Sequence, residues 1–199
     1  RVEISVCRKV KLHRERLARL RKKYVWDEAS ASAAVEFFEV HLRHWKSPFA
    51  GKPFILQPWQ RDDIIRPLFG LKRPDGTRVF RRGYIQIPRK NGKSAIAAGI
   101  LLRLFCSDGF GLDCYTAATT REQAKIVWKD CKAFIQASRA LKKTLRVLRS
   151  EIRFSDRECT LAPLSKDSGN LEGLNIAGAV IDELHVHPNR DVFDVVTTA

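Results

Sequence analysis

Residues 84–105, YIQIPRKNGKSAIAAGILLRLF, constrain the fold more than any other part of the chain. They run from a short apolar segment suited to a buried strand, through a positively charged loop, to an apolar helix over about 92–105. In that setting a Gly-Lys-Ser sequence binds phosphate. Backbone N–H groups turn inward around the anion, helped by the positive end of the following helix. The pattern G-x-x-x-x-G-K-[ST] meets Ile87 where its first glycine belongs, whereas Gly92, Lys93 and Ser94 fit the remainder. That first glycine shapes a turn and carries no charge, and Pro88 can set the turn by another route. A bare G-K-S arises by chance in roughly one chain in ten of this length, so its context must carry the assignment.

A second segment supplies that context. GAVIDELH, from residue 178, has small and apolar residues up to Ile181, followed by Asp182 and Glu183. A buried strand ending in adjacent carboxylates is costly unless a cation or a water uses them. Paired with the loop, this is the layout of a Walker B strand. Lys93 reaches the β- and γ-phosphates, Ser94 holds Mg²⁺ through its hydroxyl, Asp182 lies behind the metal, and Glu183 orients or deprotonates the attacking water.

The formal net charge of +15 points to a polyanionic partner, most simply nucleic acid. The charge concentrates at the start, where ten of the first 23 residues are Arg or Lys and two are acidic. Leu12, Leu17 and Leu20 give this segment a weak apolar stripe, so residues 1–25 are a docked basic helix or a loose arm. The five scattered cysteines lack C-x-x-C spacing, which favours reduced thiols in a cytosolic protein over disulfides or zinc. Neither a membrane span nor a signal peptide is expected, because no long apolar run exists. The absence of Met suggests a fragment of a longer chain.

Between these landmarks the pattern alternates. DEASASAAVEFFEVHLRHW reads as a helix capped by Ser30 or Ser32, with Val35, Phe38, Leu42 and Trp45 on one face. WQRDDIIRPLFG reads as a helix interrupted by Pro67 and ended by Gly70, and Pro74-Asp75-Gly76 as a turn before a strand. LDCYTAAT is a buried strand. TREQAKIVWKDCKAFIQAS is a helix capped by Thr119 or Thr120, with Ala124, Val127, Cys131 and Phe134 or Ile135 inward. EIRFSDRECTLAPLS gives two short strands around Ser155-Asp156, IAGAVIDE gives another, and DVFDVVTTA opens a further element. The order implies an α/β fold with a mainly parallel central sheet and helices on both faces. Trp45 and Trp59 are assigned to the core, with stacking of Trp59 on adenine a secondary role. His185 and His187 are read as surface histidines, or as supports behind the carboxylates, rather than metal ligands.

Four of these segments resemble the large terminase subunits of tailed bacteriophages. LQPWQR looks like that family's adenine-recognition element, in which Gln60 binds the base edge beside Gln57 and Trp59. PRKNGKS resembles its deviant phosphate loop, which commonly lacks the first glycine and carries an arginine four residues before the lysine, here Arg89. TAATTREQA resembles the strand-to-helix segment after the loop. SGNLEGLNIAGAVIDELHVH is similar to the stretch around the family's Walker B, with Glu172 where Asp is more usual. The terminal TTA, 197–199, resembles the motif that couples hydrolysis to DNA movement. The resemblance runs from about Gln57 to the end.

It implies an ASCE-type P-loop NTPase over residues 26–199. The activity would be a Mg²⁺-dependent ATPase that drives double-stranded DNA into a procapsid. Pro88, Arg89, Lys90, Asn91, Gly92, Lys93 and Ser94 would hold ATP together with Gln60. Glu183 and Arg89 would be catalytic, and Ser94 and Asp182 would hold Mg²⁺. Implied partners are the portal protein, the small terminase subunit and further copies in a ring, in the host cytoplasm and docked on the procapsid. A neighbour's arginine often completes such sites, and Arg139, Arg146, Arg149 and Arg153 are candidates. The family's C-terminal nuclease domain is not expected in this chain. A helicase-like ATPase uses the same two sites, and a non-catalytic basic DNA-binding or assembly module would have a degenerate loop. Both remain alternatives.

Overall fold

The computed structural model describes residues 8–88, 90–107, 113–118, 121–164, 175–187 and 189–198. Thr119, Thr120, Glu172 and Ala199 lie outside the described residues, as does the catalytic candidate Arg89. The chain forms two compact units, one from Arg1–Val40 and Phe54–Gln86, the other from His41–Pro53 and Ile87–Ala199.

The first unit is built on helices. The basic lead is a docked helix, α1 (Arg8–Lys23), which buries Leu17 but leaves Leu12 half exposed. Next come a two-residue strand β1 (Val25–Trp26) and α2 (Glu28–Glu36), which runs on into one wide turn, Phe37–His41. The cap of α2 is Asp27, one turn before the expected serines. Its carboxylate accepts from the Ser30 N–H at 2.9 Å and the Ser30 hydroxyl at 2.5 Å, which satisfies an orphan donor of the first turn. α3 (Pro58–Gln60), a wide turn (Arg61–Ile65) and α4 (Arg66–Gly70) make a continuous helical stretch.

Pro67 does not break this stretch. Its missing N–H would leave the Asp63 carbonyl, four residues back, without a partner. His13, in its Nε2–H form, donates to that carbonyl at 2.8 Å, and Arg14 grips the Asp63 carboxylate through two bonds of 2.9 and 2.8 Å. One residue therefore docks α1 with its backbone and its side chain. β2 (Leu71–Lys72) pairs antiparallel with β1. The expected turn follows, with Gly76 at φ +82° and its N–H on the Arg73 carbonyl. Only a single bridge, Lys72 to Arg78, stands where a strand was expected after it.

The second unit carries the sheet. Its elements are α5 (Lys93–Phe105), β3 (Asp113–Ala117), α6 (Arg121–Ala137), α7 (Arg139–Thr144), β4 (Leu145–Val147), β5 (Ile152–Phe154), β6 (Thr160–Pro163), β7 (Ile176–Ile181) and α8 (Asp191–Thr198). The strand order is β4-β5-β6-β3-β7. β3 runs parallel to both β6 and β7, whereas β4–β5 and β5–β6 are antiparallel. The sheet is thus mixed, which corrects the mainly parallel expectation. The cause is the tight connections at residues 148–151 and 155–159, which are too short for a crossover helix.

Residues 84–87 form no strand, contrary to the sequence reading, and Tyr84 is 74% exposed. A short apolar run does not by itself select a strand.

Side-chain parity shows two covered faces. Cys114 and Gly178 meet Leu104 of α5, and a Cβ on Gly178 would lie 3.0 Å from Leu104 Cδ1. The alternate residues Tyr115, Ala117 and Ile181 pack instead with Val192 and Val196 of α8, as a period of two requires. In α6 the residues Ala124, Val127, Cys131, Phe134 and Ile135 are all buried, as expected.

Residues 41–53 belong to this unit as a loop pinned to α6. Trp45 Nε1 donates to Asp130 Oδ1 at 2.9 Å, and Lys46 pairs with the same oxygen at 3.3 Å. Asp130 is almost fully buried, so these two donors are what make its carboxylate tolerable there. Trp45 itself is 42% exposed, which corrects its placement in the core. Among the described residues no helix is long and apolar enough to cross a membrane.

Candidate functional site

Two chain turns in the second unit bring the sequence-predicted residues together. The first precedes α5. Gly92 sits in the left-handed region (φ 76°, ψ 21°) and caps the helix with its carbonyl, which accepts from the Ile96 N–H at 2.9 Å. A Cβ there would touch nothing within 4 Å, so the glycine is needed for conformation, not space. Lys90 is also left-handed at φ 66°, a conformation costly for a non-glycine residue. Left-handed residues in such turns are the material of anion-binding backbone nests. Asn91 closes the turn by donating from Nδ2 to the Pro88 carbonyl at 3.3 Å.

The start of α5 has no side-chain cap and no acidic residue in its first turn. Its leading N–H groups and its dipole are therefore not compensated locally.

The second turn ends β7. The Asp182 N–H continues the parallel ladder onto the Ala117 carbonyl at 2.9 Å, so the sheet itself sets the height of the carboxylate. Asp182 Oδ1 accepts from the Glu183 N–H at 3.0 Å. Glu183 is left-handed (φ 49°, ψ 44°) and opens a single short turn of helix, Leu184–Val186. That conformation swings its side chain off the strand line toward the α5 loop.

Lys93 joins the two turns. Its Nζ makes a short ion pair with Glu183 Oε1 and lies 3.5 Å from Asp182 Oδ1. The hydrogen bond to Glu183, followed by the field of Asp182, raises the Lys93 pKa above its ordinary value, although partial burial opposes this. The ammonium thus stays charged at any physiological pH. Behind the carboxylates stand the histidines, with His185 Nδ1 at 3.4 Å from Glu183 Oε2 and His187 Nε2 at 3.4 Å from the Asp182 carbonyl. His185 is exposed beside the Glu183 carboxylate, and His187 reaches the backbone of Asp182 rather than its carboxylate.

The donor set suits a magnesium nucleotide. Mg²⁺ is held through one or two carboxylates and the substrate's own phosphates, without a dedicated cage. Among the described residues no cluster of three or more His, Cys, Asp or Glu exists that could form such a cage. Asp182 and the partly exposed Ser94 hydroxyl are hard oxygen ligands of the right kind, and Lys93 with the bare helix start matches phosphate charge.

Gln60 belongs to the first unit. It is buried, and its Oε1 accepts from the Gln57 N–H at 2.9 Å, closing the first turn of α3. Its side-chain amide NH₂ is the part suited to a base edge. Trp59 beside it is half-buried. Arg139, Arg146, Arg149 and Arg153 are exposed. Arg146 lies opposite Arg153 across β4–β5, and Arg153 pairs with Glu151 at 2.6 Å.

The profile of the family described as terminase large subunit, ATPase domain, matches residues 58–199. A curated relative, the terminase large subunit of Enterobacteria phage HK97, is 28% identical over 155 residues, covering 75% of this chain and 30% of the relative. The crystal structure of the HK97 bacteriophage large terminase superposes with a TM-score of 0.70 at 26% identity, covering 85% of this chain and 34% of that one. This chain therefore spans about a third of the length of the relatives it matches.

Proposed function

Since the chain belongs to the terminase large subunit ATPase-domain family, we propose that it hydrolyses ATP as the motor that drives double-stranded DNA into a procapsid. The reading is an ASCE-type P-loop NTPase over residues 26–199, working with a portal protein, a small terminase subunit and further copies of itself, in the host cytoplasm on the procapsid. The observation that carries it is the meeting of Lys93, at the bare start of α5, with Asp182 and Glu183 at the end of β7.

In this mechanism Gly92 and Lys90 shape the loop with Pro88 and Asn91, so that backbone N–H groups and the α5 dipole face the phosphates. Lys93 leaves the carboxylates and places its ammonium on the β- and γ-phosphates. Ser94 and Asp182 would hold Mg²⁺, which when bound neutralises charge on the phosphate oxygens. Glu183, freed from Lys93, accepts a proton from the attacking water and holds it in line with the γ-phosphate. Arg89 stabilises the charge that develops on the transferred group, and the Gln60 amide reads the adenine edge.

The test is calorimetric titration of Mg·ATP into the wild-type chain, Lys93→Ala and Glu183→Ala. The expected result is binding by wild type, none by Lys93→Ala, and binding without turnover by Glu183→Ala. Loss of nucleotide affinity in all three at millimolar ATP would sink the reading.

A further inference from the structure

The structure leaves one strongly charged surface unused by the nucleotide chemistry: the outward arc of α1. Leu17 points inward, and at 3.6 residues per turn His13, Arg14 and Arg21 fall on the same side as Leu17. These inward residues are committed. His13 and Arg14 hold Asp63, and the Arg21 guanidinium lies 3.7 Å from the Trp26 ring centre. Arg8, Lys9, Lys11, Arg16, Arg19, Lys22 and Lys23 lie about 80° or more around the helix from Leu17 and are all exposed. Within that arc the acid is Glu15, and Leu12 is the large apolar residue. Among the described residues none of the seven forms an ion pair, although Lys23 lies 5.5 Å from the Tyr24 ring centre.

We infer that this arc is a docking surface for the phosphate backbone of duplex DNA. The inference rests on the proposal that duplex DNA is the cargo, and it assigns where the first unit touches it. The charge lies along a helix of 16 residues, about 24 Å in length, held rigidly by the Asp63 clamp rather than on a loose arm. Lys9 and Arg16 stand seven residues apart and Lys23 seven further on, so cations recur every two turns along one line. A protein-binding surface would need a desolvated apolar or aromatic core, which this arc lacks. Single-strand binders stack bases on aromatic platforms, and the arc has no aromatic residue of its own. What remains is a sequence-independent comb of cations, suited to a double row of phosphates.

The test substitutes Lys9→Gln, Arg16→Gln, Arg19→Gln and Lys22→Gln together in the full chain. Glutamine matches Lys and Arg in helix propensity, and the Asp63 clamp is untouched. Binding of a fluorescein-labelled duplex of arbitrary sequence is followed by anisotropy between about 50 and 200 mM salt. If all seven cations contact phosphates, the wild-type log–log salt slope is about −6, and the quadruple variant loses about 3 to 4 of it. A second variant exchanges Lys and Arg at the same four positions and should keep the wild-type slope. It also shows whether any loss comes from misfolding.

An unchanged slope in the glutamine variant overturns the proposal. So does absence of duplex binding by wild type, or equal loss in the Lys/Arg exchange. Retention on polyglutamate with none on the duplex would assign the arc to an acidic protein partner instead. Mg·ATP titration of the same variant keeps the two readings separable. The glutamine variant should bind nucleotide normally, and Lys93→Ala should bind duplex normally.

Discussion

Glu183→Gln should tighten nucleotide binding while slowing turnover by orders of magnitude. In the structure the Lys93 ammonium is shared between Glu183 and Asp182, and the proposed mechanism needs the same ammonium on the phosphates. Glu183 thus competes with the nucleotide for Lys93, and its own charge also repels the γ-phosphate. Glutamine keeps the shape and removes both effects. The side chains of Lys93 and Glu183 are 34% and 39% exposed, so solvent screens the pair. Such pairs contribute about 0.2–1 kcal/mol. Losing the upper end of that range predicts about fivefold tighter binding. Hydrolysis should fall by about 10²–10⁴, the usual contribution of a positioned base.

Asp182→Asn provides the contrast, since it removes the same charge but also a metal ligand. With Mg²⁺ present, calorimetry should show Glu183→Gln tighter and Asp182→Asn weaker than wild type. With EDTA in place of Mg²⁺ both should be modestly tighter. Weaker Mg·ATP binding by Glu183→Gln would refute the competition argument.

Two stability predictions come from packing. Gly70→Ala places a Cβ 2.7 Å from Ala31 Cβ and 3.2 Å from both the Asp27 carbonyl oxygen and a Trp26 ring carbon. Gly→Ala otherwise gains about 0.4–1 kcal/mol through the unfolded chain, but overpacking against fixed backbone costs about 1–3 kcal/mol. The clash should therefore win in a denaturant melt, and Ala31→Gly in the same chain should recover part of the loss. Thr116 is fully buried, and among the described residues its hydroxyl has no hydrogen-bond partner. Thr116→Val keeps the branched shape and removes that orphan group, so the same melt should show stabilisation of about 1 kcal/mol. A destabilised Thr116→Val would mean that the hydroxyl is satisfied after all.

The parts of the site that could be read from the sequence were those whose chemistry is local. Gly-Lys-Ser before an apolar helix, and two carboxylates after a run of small residues, need no distant information. The structure sets Lys93 against Asp182 and Glu183 accordingly. What escaped was settled by partners far along the chain. Pro67 looked like an interruption because the donor that replaces its N–H is His13, some fifty residues earlier. β4 went unread because its short pattern, Leu-Arg-Val, alternates only once, and it is fixed by pairing Arg146 with Arg153. The sequence offers Ser30 or Ser32 as the cap of α2, whereas the cap is Asp27 and Ser30 donates to it.

The mixed sheet has the same origin, since strand direction depends on connection length and not on the residues within each strand. Yet the mixing falls on the β4–β5–β6 side, and the strands that place the chemistry, β3 and β7, are parallel. A reader of the sequence could misjudge the sheet and still reach the same candidate site. Asp182 hangs from the Ala117 carbonyl at the end of the β3–β7 ladder, and each strand of that ladder, though not their pairing, is legible as an apolar run.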